Sequence, residues 1–313
     1  MGHRLFRPMF CPARRHWLRA WLSVCGGLAL TRALSAQRPA PADDDTLRLT
    51  TELVLVNVTV MDEQGGYVRG LRPEDFIVFQ DGAAQQIEHF STGDAPFCAA
   101  VMIDASDSMR VKLRNAQAAA AHFQSLIRAN DAVAVYAFSS AVEQIQDFSS
   151  SRTVVPRLWA LRARGKTRLY DGLRVVIEAL DARPEQRRAI VLISDGVDTA
   201  SDAQPHAIAR QAAQADVIVY AIDLHDARFP TRHPAEARHA AWLSDLATTT
   251  GGRYIKSPGG AHLAARFAEV IEELRAQYTI GFYPPNGYDG RTHTIRVVVR
   301  RPNVTWRARK NCA

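Results

Sequence analysis

Four short apolar runs, separated by stretches with helical periodicity, constrain the fold of this chain more than any other feature of its sequence. The runs lie at residues 98–104, 132–138, 189–193 and 217–223. Apolar runs of this length are typical of strands buried on both faces. Because strands that alternate with helices form parallel sheets covered on both faces, the pattern predicts a doubly wound α/β domain over residues 97–277.

The chain on either side of this section has β-type sequence. Residues 47–96 and 278–313 contain runs with alternating apolar residues, bounded by turn signals such as Asp81-Gly82. A few antiparallel strands cannot bury both faces alone, so we expect the two ends to pack together as a β-sandwich. The predicted fold class is therefore α/β, a mostly parallel doubly wound sheet inserted into a small β-sandwich formed by the N- and C-terminal strands.

Positive charge is concentrated at the beginning of the chain. The 313 residues carry a net charge of +7, and residues 1–36 contain six arginines and no acid, which leaves 7 − 6 = +1 for residues 37–313. A basic stretch, the apolar run at residues 20–30 and small residues near residue 36 are typical of a secretory signal peptide. A lipoprotein cleavage site at Cys25 fits less well. Residues 37–46 are predicted to be a flexible leader, and the mature protein to be secreted or periplasmic.

The C-terminal segment is also basic. Seven Lys or Arg and no acid follow Gly290, so residues 37–290 carry 1 − 7 = −6. A mature chain that is nearly neutral overall is not expected to bind nucleic acid. Arginines on the solvent face of an edge strand explain the C-terminal charge, and a peripheral contact with an anionic envelope surface is the alternative.

Two cysteines, Cys98 and Cys312, follow the predicted signal peptide. In an oxidising compartment they could form a disulfide that closes a long loop. Alternatively, Cys98 is a buried thiol in a strand and Cys312 lies at a frayed terminus. Both alternatives stay open, because the sequence does not give the Cα separation that decides between them.

Oxygen-bearing side chains follow the predicted strands at one end of the sheet. The first α/β strand ends in Asp104-Ala-Ser106-Asp-Ser108, Asp195 follows the third, and Thr167 precedes a helix. Since ligand sites of α/β sheets lie at the carboxyl ends of strands, we expect these five side chains to converge. They include no cysteine or histidine, so the set suits Mg²⁺ or Mn²⁺. Each serine or threonine alone would be interpreted as a helix N-cap, and their joint occurrence favours a metal site.

The same residues resemble a known site. Asp104-Ala-Ser-Asp-Ser-Met109, Thr167 in its Gly-Lys-Thr-Arg loop, and Ser194-Asp-Gly-Val-Asp-Thr199 are similar to the metal-ion-dependent adhesion site of von Willebrand factor type A domains. The resemblance implies that Ser106 and Ser108 bind the ion directly and that Thr167 does so when a ligand is engaged. It implies that Asp104 and Asp195 act mainly through bound waters. It also implies an open coordination position for an acidic group of a partner protein or glycan.

Two flanking motifs resemble a narrower family. Leu71-Arg-Pro-Glu-Asp-Phe76 and Gln277-Tyr-Thr-Ile-Gly-Phe-Tyr-Pro284 are similar to the bacterial VWFA-related domain proteins described mainly from Acidobacteria. Asp107 departs from the type A pattern, in which glycine is frequent at this position. Its carboxylate is expected to strengthen cation binding, to repel an acidic ligand, or only to complement the dipole of the following helix.

Three functions remain open. The preferred one is a secreted adhesion or protein-binding module that engages an acidic group of its partner through the divalent cation. The second is a structural envelope protein in which the cation only stabilises the fold. The third is a metal-assisted hydrolase, for which the sequence offers no clear general base beside the site. We therefore expect a protein that is not an enzyme.

Overall fold

The computed structural model describes residues 53–93, 95–195, 197–224, 234–285, 287 and 291–312. The chain separates into two compact units, Met1–Leu47 and Arg48–Ala313. The predicted signal peptide (1–36) and leader (37–46) lie outside the described residues, which all belong to the second unit. Within the part that is described, no helix combines the length and the apolar character needed to cross a membrane.

Strands and helices alternate through the middle of this unit, and strands alone lie at both ends. The strands are β1 (Val54–Asp62), β2 (Phe76–Gln80), β3 (Ala83–Gln85), β4 (His89–Ser91), β5 (Phe97–Asp104), β6 (Ala132–Phe138), β7 (Val142–Ser149), β8 (Arg187–Ser194), β9 (Val217–Asp223), β10 (Tyr254–Lys256), β11 (Tyr278–Phe282), β12 (His293–Val299), β13 (Val304–Ala308) and β14 (Asn311–Cys312). The helices are α1 (Leu113–Leu126), α2 (Arg157–Ala160), α3 (Leu169–Asp181), α4 (Pro205–Gln214), α5 (Pro234–Thr249) and α6 (Ala261–Ala276).

The central sheet has the strand order β10-β9-β8-β5-β6-β7. Its strands are parallel except for β7, which pairs with β6 in the antiparallel direction. Every residue of β5, β6 and β9 is buried, because helices cover both faces of the sheet. One core lies under α1, α2 and α6, and a second lies under α3, α4 and α5.

Two antiparallel sheets flank the α/β part, with the orders β13-β1-β11-β4 and β14-β12-β2-β3. Each combines strands from before and after the α/β section, since β1 pairs with β11 and β2 pairs with β12. Alternate residues of both sheets, such as Val58, Val78, Ile280 and Val297, are buried in one shared core. The fold class is confirmed as mixed α/β, with a mostly parallel central sheet and flanking antiparallel sheets.

Several short elements differ from the sequence-based expectation. Strand β7 was not predicted, because only part of it is apolar and an edge strand needs little burial. The β-type sequence before β5 ends in two short strands that belong to different sheets, since β3 pairs with β2 and β4 pairs with β11. The helical sequence after β5 forms an α-helix only from Leu113, after a short 3₁₀ turn over Asp107–Arg110. The end of the chain is closed by β14, which pairs with β12.

The two cysteines are free and buried in different cores. Cys98 lies on β5 beneath α3, and Cys312 lies on β14 in the core of the flanking sheets. The disulfide considered from the sequence is therefore not formed in the structure, and Cys312 belongs to a strand rather than to a frayed end. Burial raises the pKa of the Cys98 thiol to about 12.

Candidate functional site

The carboxyl end of β5 lies at the point where the strand order of the central sheet reverses. The next strand along the chain, β6, pairs on one side of β5, and the later strand β8 pairs on its other side. In open α/β sheets, the chain segments that follow two adjacent strands at such a point run in opposite directions and leave a crevice beyond the strand ends. Asp104 ends β5 and Asp195 immediately follows β8, so both carboxylates lie at this crevice.

Asp104 is fully buried at the base of the site. Its Oδ1 accepts a hydrogen bond from the Ser106 N–H at 2.9 Å, and its Oδ2 accepts one from the Ser194 hydroxyl at 2.7 Å. Burial raises the pKa of the Asp104 carboxyl above its ordinary value, and the nearby Asp195 charge acts in the same direction. The hydrogen bonds from Ser106 and Ser194 oppose this shift. These bonds also fix the direction of the turn that carries the serines.

Ser106, Ser108 and Asp195 form a chain of oxygen atoms above Asp104. The two serine hydroxyl oxygens lie 3.1 Å apart, and the Ser108 hydroxyl donates to Asp195 Oδ1 at 2.7 Å. Ser106 is buried, Ser108 is exposed, and the Asp195 side chain is only 4% exposed. The set therefore runs from the interior to the surface and is open to solvent at Ser108.

Thr167 lies on a neighbouring loop and is buried. Its N–H donates to the Thr199 hydroxyl at 3.0 Å, and its carbonyl accepts from the Thr199 and Ala200 N–H groups. The Thr167 side chain makes no hydrogen bond to the other four site residues, all of which the structure describes. The structure thus brings together Asp104, Ser106, Ser108 and Asp195, and it leaves Thr167 on the loop beside them.

The Thr167 loop is tied to the serine turn by its backbone. The Arg164 N–H donates to the Ala105 carbonyl at 2.8 Å, and the Asp107 N–H donates to the Gly165 carbonyl at 3.1 Å. Asp107 takes part as well, since its carboxylate accepts from the Gly165 N–H at 3.2 Å and pairs with Arg110 at 2.9 Å. Asp107, which stands where glycine is frequent in type A domains, therefore holds the serine turn and the Thr167 loop together.

Lys112 is a member of the site that sequence analysis missed. Its ammonium nitrogen lies 2.7 Å from Asp195 Oδ2, opposite the oxygen that accepts from Ser108. Lys112 occupies the N-cap position of α1. A positive charge at a helix N-terminus opposes the helix dipole, so a lysine at this position needs a specific acidic partner. The sequence contains no direct signal for this contact, because the N-cap position of Lys112 follows from the 3₁₀ turn over Asp107–Arg110.

Asp198 and Asp171 were also missed, and they connect the loop after β8 to α3. Asp198 Oδ2 accepts the backbone N–H groups of Leu169 and Tyr170 at 2.7 and 3.2 Å, which are among the unpaired donors of the first helical turn. In return, the Asp171 carboxylate accepts the N–H groups of Asp202 and Ala203. This exchange positions the α3 end, and with it Thr167, against the β8 loop. The sequence signal for this exchange was that an Asp follows each of two site residues within four positions, Asp171 after Thr167 and Asp198 after Asp195.

The donor set suits a hard divalent cation. It consists of hydroxyl and carboxylate oxygens, the ligands that Mg²⁺ and Mn²⁺ prefer. The 3.1 Å separation of the two serine oxygens also fits, because neighbouring ligands about 2.1 Å from an octahedral Mg²⁺ lie about 3 Å apart. Among the described side chains, no three His, Cys, Asp or Glu come together as a metal site. A cation here would thus depend on serine hydroxyls together with two carboxylates.

Comparison with protein-family models matches residues 99–197 to the von Willebrand factor type A domain. This segment runs from β5 through the end of β8 and contains Asp104, Ser106, Ser108, Thr167 and Asp195. Comparison with curated protein sequences finds no match. The narrower similarity to the bacterial VWFA-related proteins stays a prediction.

Solved structures with a similar fold include three bacterial proteins. The PilB minor pilin from Streptococcus sanguinis is 17% identical with a TM-score of 0.45, over 58% of this chain and 62% of that one. The von Willebrand factor type A protein from Catenulispora acidiphila is 13% identical with a TM-score of 0.49, over 84% of this chain and 74% of that one. The vWF domain of the type V pili tip protein Mfa5 from Porphyromonas gingivalis is 13% identical with a TM-score of 0.41, over 58% of this chain and 95% of that one. The chain thus spans about three fifths of the length of the PilB pilin.

Proposed function

Since residues 99–197 match the von Willebrand factor type A domain, we propose that this chain is a metal-dependent protein-binding module of an extracytoplasmic protein. The observation that supports this most is the chain of oxygens from Ser106 through Ser108 to Asp195 above the buried Asp104. It lies at the crevice where α/β sheets bind their ligands. A type A domain fits a protein-binding module, and the signal-peptide pattern in residues 1–36 supports an extracytoplasmic location.

Four side chains would hold the cation: Asp104, Ser106, Ser108 and Asp195. The bound ion, Mg²⁺ or Mn²⁺, would supply positive charge and an open coordination position for a carboxylate of the partner. Asp104 orients the turn through the Ser106 N–H, and Ser108 presents its exposed hydroxyl to the partner's side. Thr167, on the neighbouring loop, is the further hydroxyl that could join this set when a ligand is engaged.

We propose binding rather than catalysis. A hydrolase that used an ion-bound water would need a general base beyond the metal ligands. Lys112, an ionisable side chain in contact with the set, is already paired with Asp195, and the Asp107 carboxylate is bonded to Gly165 and Arg110. The remaining alternative, a cation that only stabilises the fold, predicts ion binding without any affinity for acidic partners.

Thermal unfolding with and without Mg²⁺ or Mn²⁺ tests the metal site. A cation at 100 times its dissociation constant stabilises the folded chain by about 2.7 kcal/mol, which corresponds to roughly 5–10 °C in the unfolding midpoint. Asp195→Ala and Ser106→Ala should abolish this increase. Ser125→Ala, which removes an exposed hydroxyl at the end of α1, is the matched control and should retain it. A wild-type midpoint that does not respond to millimolar cation would contradict the proposal.

A further inference from the structure

A cavity of about 330 Å³ opens beside the candidate site. It touches the site through Ala105, which lies between Asp104 and Ser106 in the turn after β5. A volume of this size is at the lower end of the range for ligand pockets and accommodates one or two side chains of a bound peptide. A partner that reaches the serines would therefore cover the mouth of this cavity.

Backbone hydrogen bonds fix the walls of the cavity. The Ala105 N–H donates to the Phe138 carbonyl at 2.8 Å, which joins the ends of β5 and β6. The Ala105 carbonyl accepts from the Arg164 N–H at 2.8 Å, which joins the same turn to the loop after α2. One residue, Ala105, thus links the walls to each other and to the turn that carries Ser106 and Ser108.

The lining of the cavity is both polar and apolar, and its rim is positively charged. Ala141 and Leu161 are among the apolar lining residues. The charged lining residues are three arginines and one glutamate: Arg157, Arg162, Arg164 and Glu143. Arg157 and Glu143 form an ion pair with each other, so two positive charges remain, those of Arg162 and Arg164.

Arg162 and Arg164 are both exposed. Arg162 donates from Nη1 to the carbonyls of Trp159, Ala160 and Leu161 at the end of α2, which orients its guanidinium. A guanidinium has five N–H donors, so Arg162 keeps others for a ligand. Within the described ranges of the chain, neither arginine is paired with a carboxylate. The rim therefore offers preoriented donors for an anion.

We propose that this cavity is a second anion subsite, and that the partner is an acidic peptide segment with two nearby carboxylates. The first carboxylate would go to the cation at Ser106 and Ser108, and the second to Arg162 and Arg164. Guanidinium groups suit this role, because they bind carboxylates through paired, charge-assisted hydrogen bonds. The inference rests on the proposed function for the first carboxylate and on the cavity itself for the second.

Charge favours a short diacid over a long polyanion. Residues 37–290, which include the whole α/β section, carry a net charge of −6. This charge repels nucleic acid and other extended polyanions, whereas the two arginines attract an anion locally. A peptide with two carboxylates matches one cation and one arginine pair without covering the acidic remainder.

Fluorescence anisotropy with short labelled peptides tests the subsite. The probes are peptides with two glutamates spaced by one, two or three glycines, and the same peptides with one glutamate replaced by glutamine, all in millimolar Mg²⁺. The wild-type chain should bind the best-spaced diacid about tenfold more tightly than its monoacid. Arg162→Gln combined with Arg164→Gln should remove that advantage and leave monoacid affinity unchanged. The control is Arg300→Gln combined with Arg301→Gln, in the exposed turn between β12 and β13. It removes the same amount of charge and should still bind the diacid more tightly than the monoacid.

The outcomes separate the two proposals. If chelation of the cation or Asp195→Ala leaves binding unchanged while the Arg162/Arg164 variant still weakens the diacid, the cavity subsite stands and the metal-dependent function fails. If the diacid advantage survives in the Arg162/Arg164 variant, or falls equally in the Arg300/Arg301 variant, the subsite is overturned. Failure of the wild-type chain to bind any diacid at millimolar concentration also overturns it.

Discussion

Lys112 places a positive charge 2.7 Å from Asp195, where the proposed cation would share the same carboxylate. Two cations that close to each other repel, and the lysine side chain is 30% exposed, so solvent screens only part of the effect. Lys112 therefore serves the site in two opposite ways. It neutralises Asp195 in the absence of an ion, and it weakens the affinity of the site for an ion.

Lys112→Met should separate these two effects. Loss of the ammonium leaves the buried Asp195 carboxylate without its counter-charge, although it keeps the hydrogen bond from Ser108, and should lower the free energy of unfolding without metal by about 1 kcal/mol. The same change should raise the affinity for Mg²⁺ or Mn²⁺ by about tenfold, since it removes like-charge repulsion. Urea unfolding in a chelator and calorimetric titration with each cation measure the two quantities.

Lys310→Met removes an exposed lysine charge from the loop before β14 and is the control. It should change neither quantity. If Lys112→Met leaves metal affinity unchanged or lowers it, the ammonium does not compete with the cation for Asp195.

Among the elements, α6 connects the α/β part to the flanking sheets through one buried carboxylate. Glu273 on α6 is fully buried, with ion-pair contacts to Arg253 Nε at 3.2 Å and to Arg307 Nη2 on β13 at 2.7 Å. The hydroxyl of Tyr220 on β9 donates to the same carboxylate at 3.0 Å, and that of Tyr67 lies 3.4 Å from it. Groups from the central sheet, from the sheet that contains β13 and from two loops thus contact one negative charge on α6.

Glu273→Gln should destabilise the chain by about 3 kcal/mol, because it keeps the shape of the side chain but removes the buried charge that Arg253 and Arg307 share. Arg253 then keeps its contact with Glu269, whereas Arg307 loses its carboxylate partner. The adjacent Glu272 is the control, since it is half exposed and pairs with the exposed Arg69 and with Arg275, which has a second carboxylate partner in Asp131. Glu272→Gln should cost less than about 1 kcal/mol. Urea unfolding measures both variants. Equal losses in the two would show that the Glu273 pairs contribute no more than surface pairs.

At the scale of the whole molecule, two basic residues predicted to project from the C-terminal hairpin are turned inward. Arg307 pairs with Glu273, and Arg309 is buried and paired with Asp216 on the α/β side. Arg296 stacks over the Phe79 ring at 3.8 Å. Part of the C-terminal charge therefore fastens the flanking sheets to the α/β part and stabilises an aromatic side chain. An envelope contact of this hairpin stays an untested prediction.

The sequence predicts this fold well where burial alone decides the structure. Strands β6 and β9 have the expected bounds, because their apolar runs are continuous. The sequence does not predict the structure where the choice of neighbouring strand determines it. Examples are β7 at the edge of the central sheet, and β3 and β4, which pair in different sheets. At the site, strand order explains why Asp104 and Asp195 meet. Local sequence could not predict the ion pair of Lys112 with Asp195 or the hydrogen bond from the Thr167 N–H to the Thr199 hydroxyl. Both contacts depend on how separate loops come together in the fold.

Alkaline pH should destabilise the whole unit. Burial, reinforced by the Glu273 charge, raises the pKa of Tyr67 to about 12 and that of Tyr220 well above its ordinary value. Burial also raises the pKa of Cys98 to about 12. In the unfolded chain these groups lose their protons at lower pH, near 9 for the thiol and near 10 for the phenols. The folded state then holds more protons than the unfolded state, so the free energy of unfolding falls as pH rises.

Urea unfolding between pH 8 and 11 tests this expectation. The free energy of unfolding should be nearly constant up to about pH 8.5 and then fall, with the fully buried Tyr220 and Cys98 each approaching about 1.4 kcal/mol per pH unit. Cys98→Ala should remove the part of the decrease that begins near pH 9, whereas Tyr283→Phe, at an exposed tyrosine, should leave the curve unchanged apart from a constant offset. A free energy that stays level to pH 11 would mean that these hydroxyl and thiol groups ionise as readily in the folded chain as in the unfolded one.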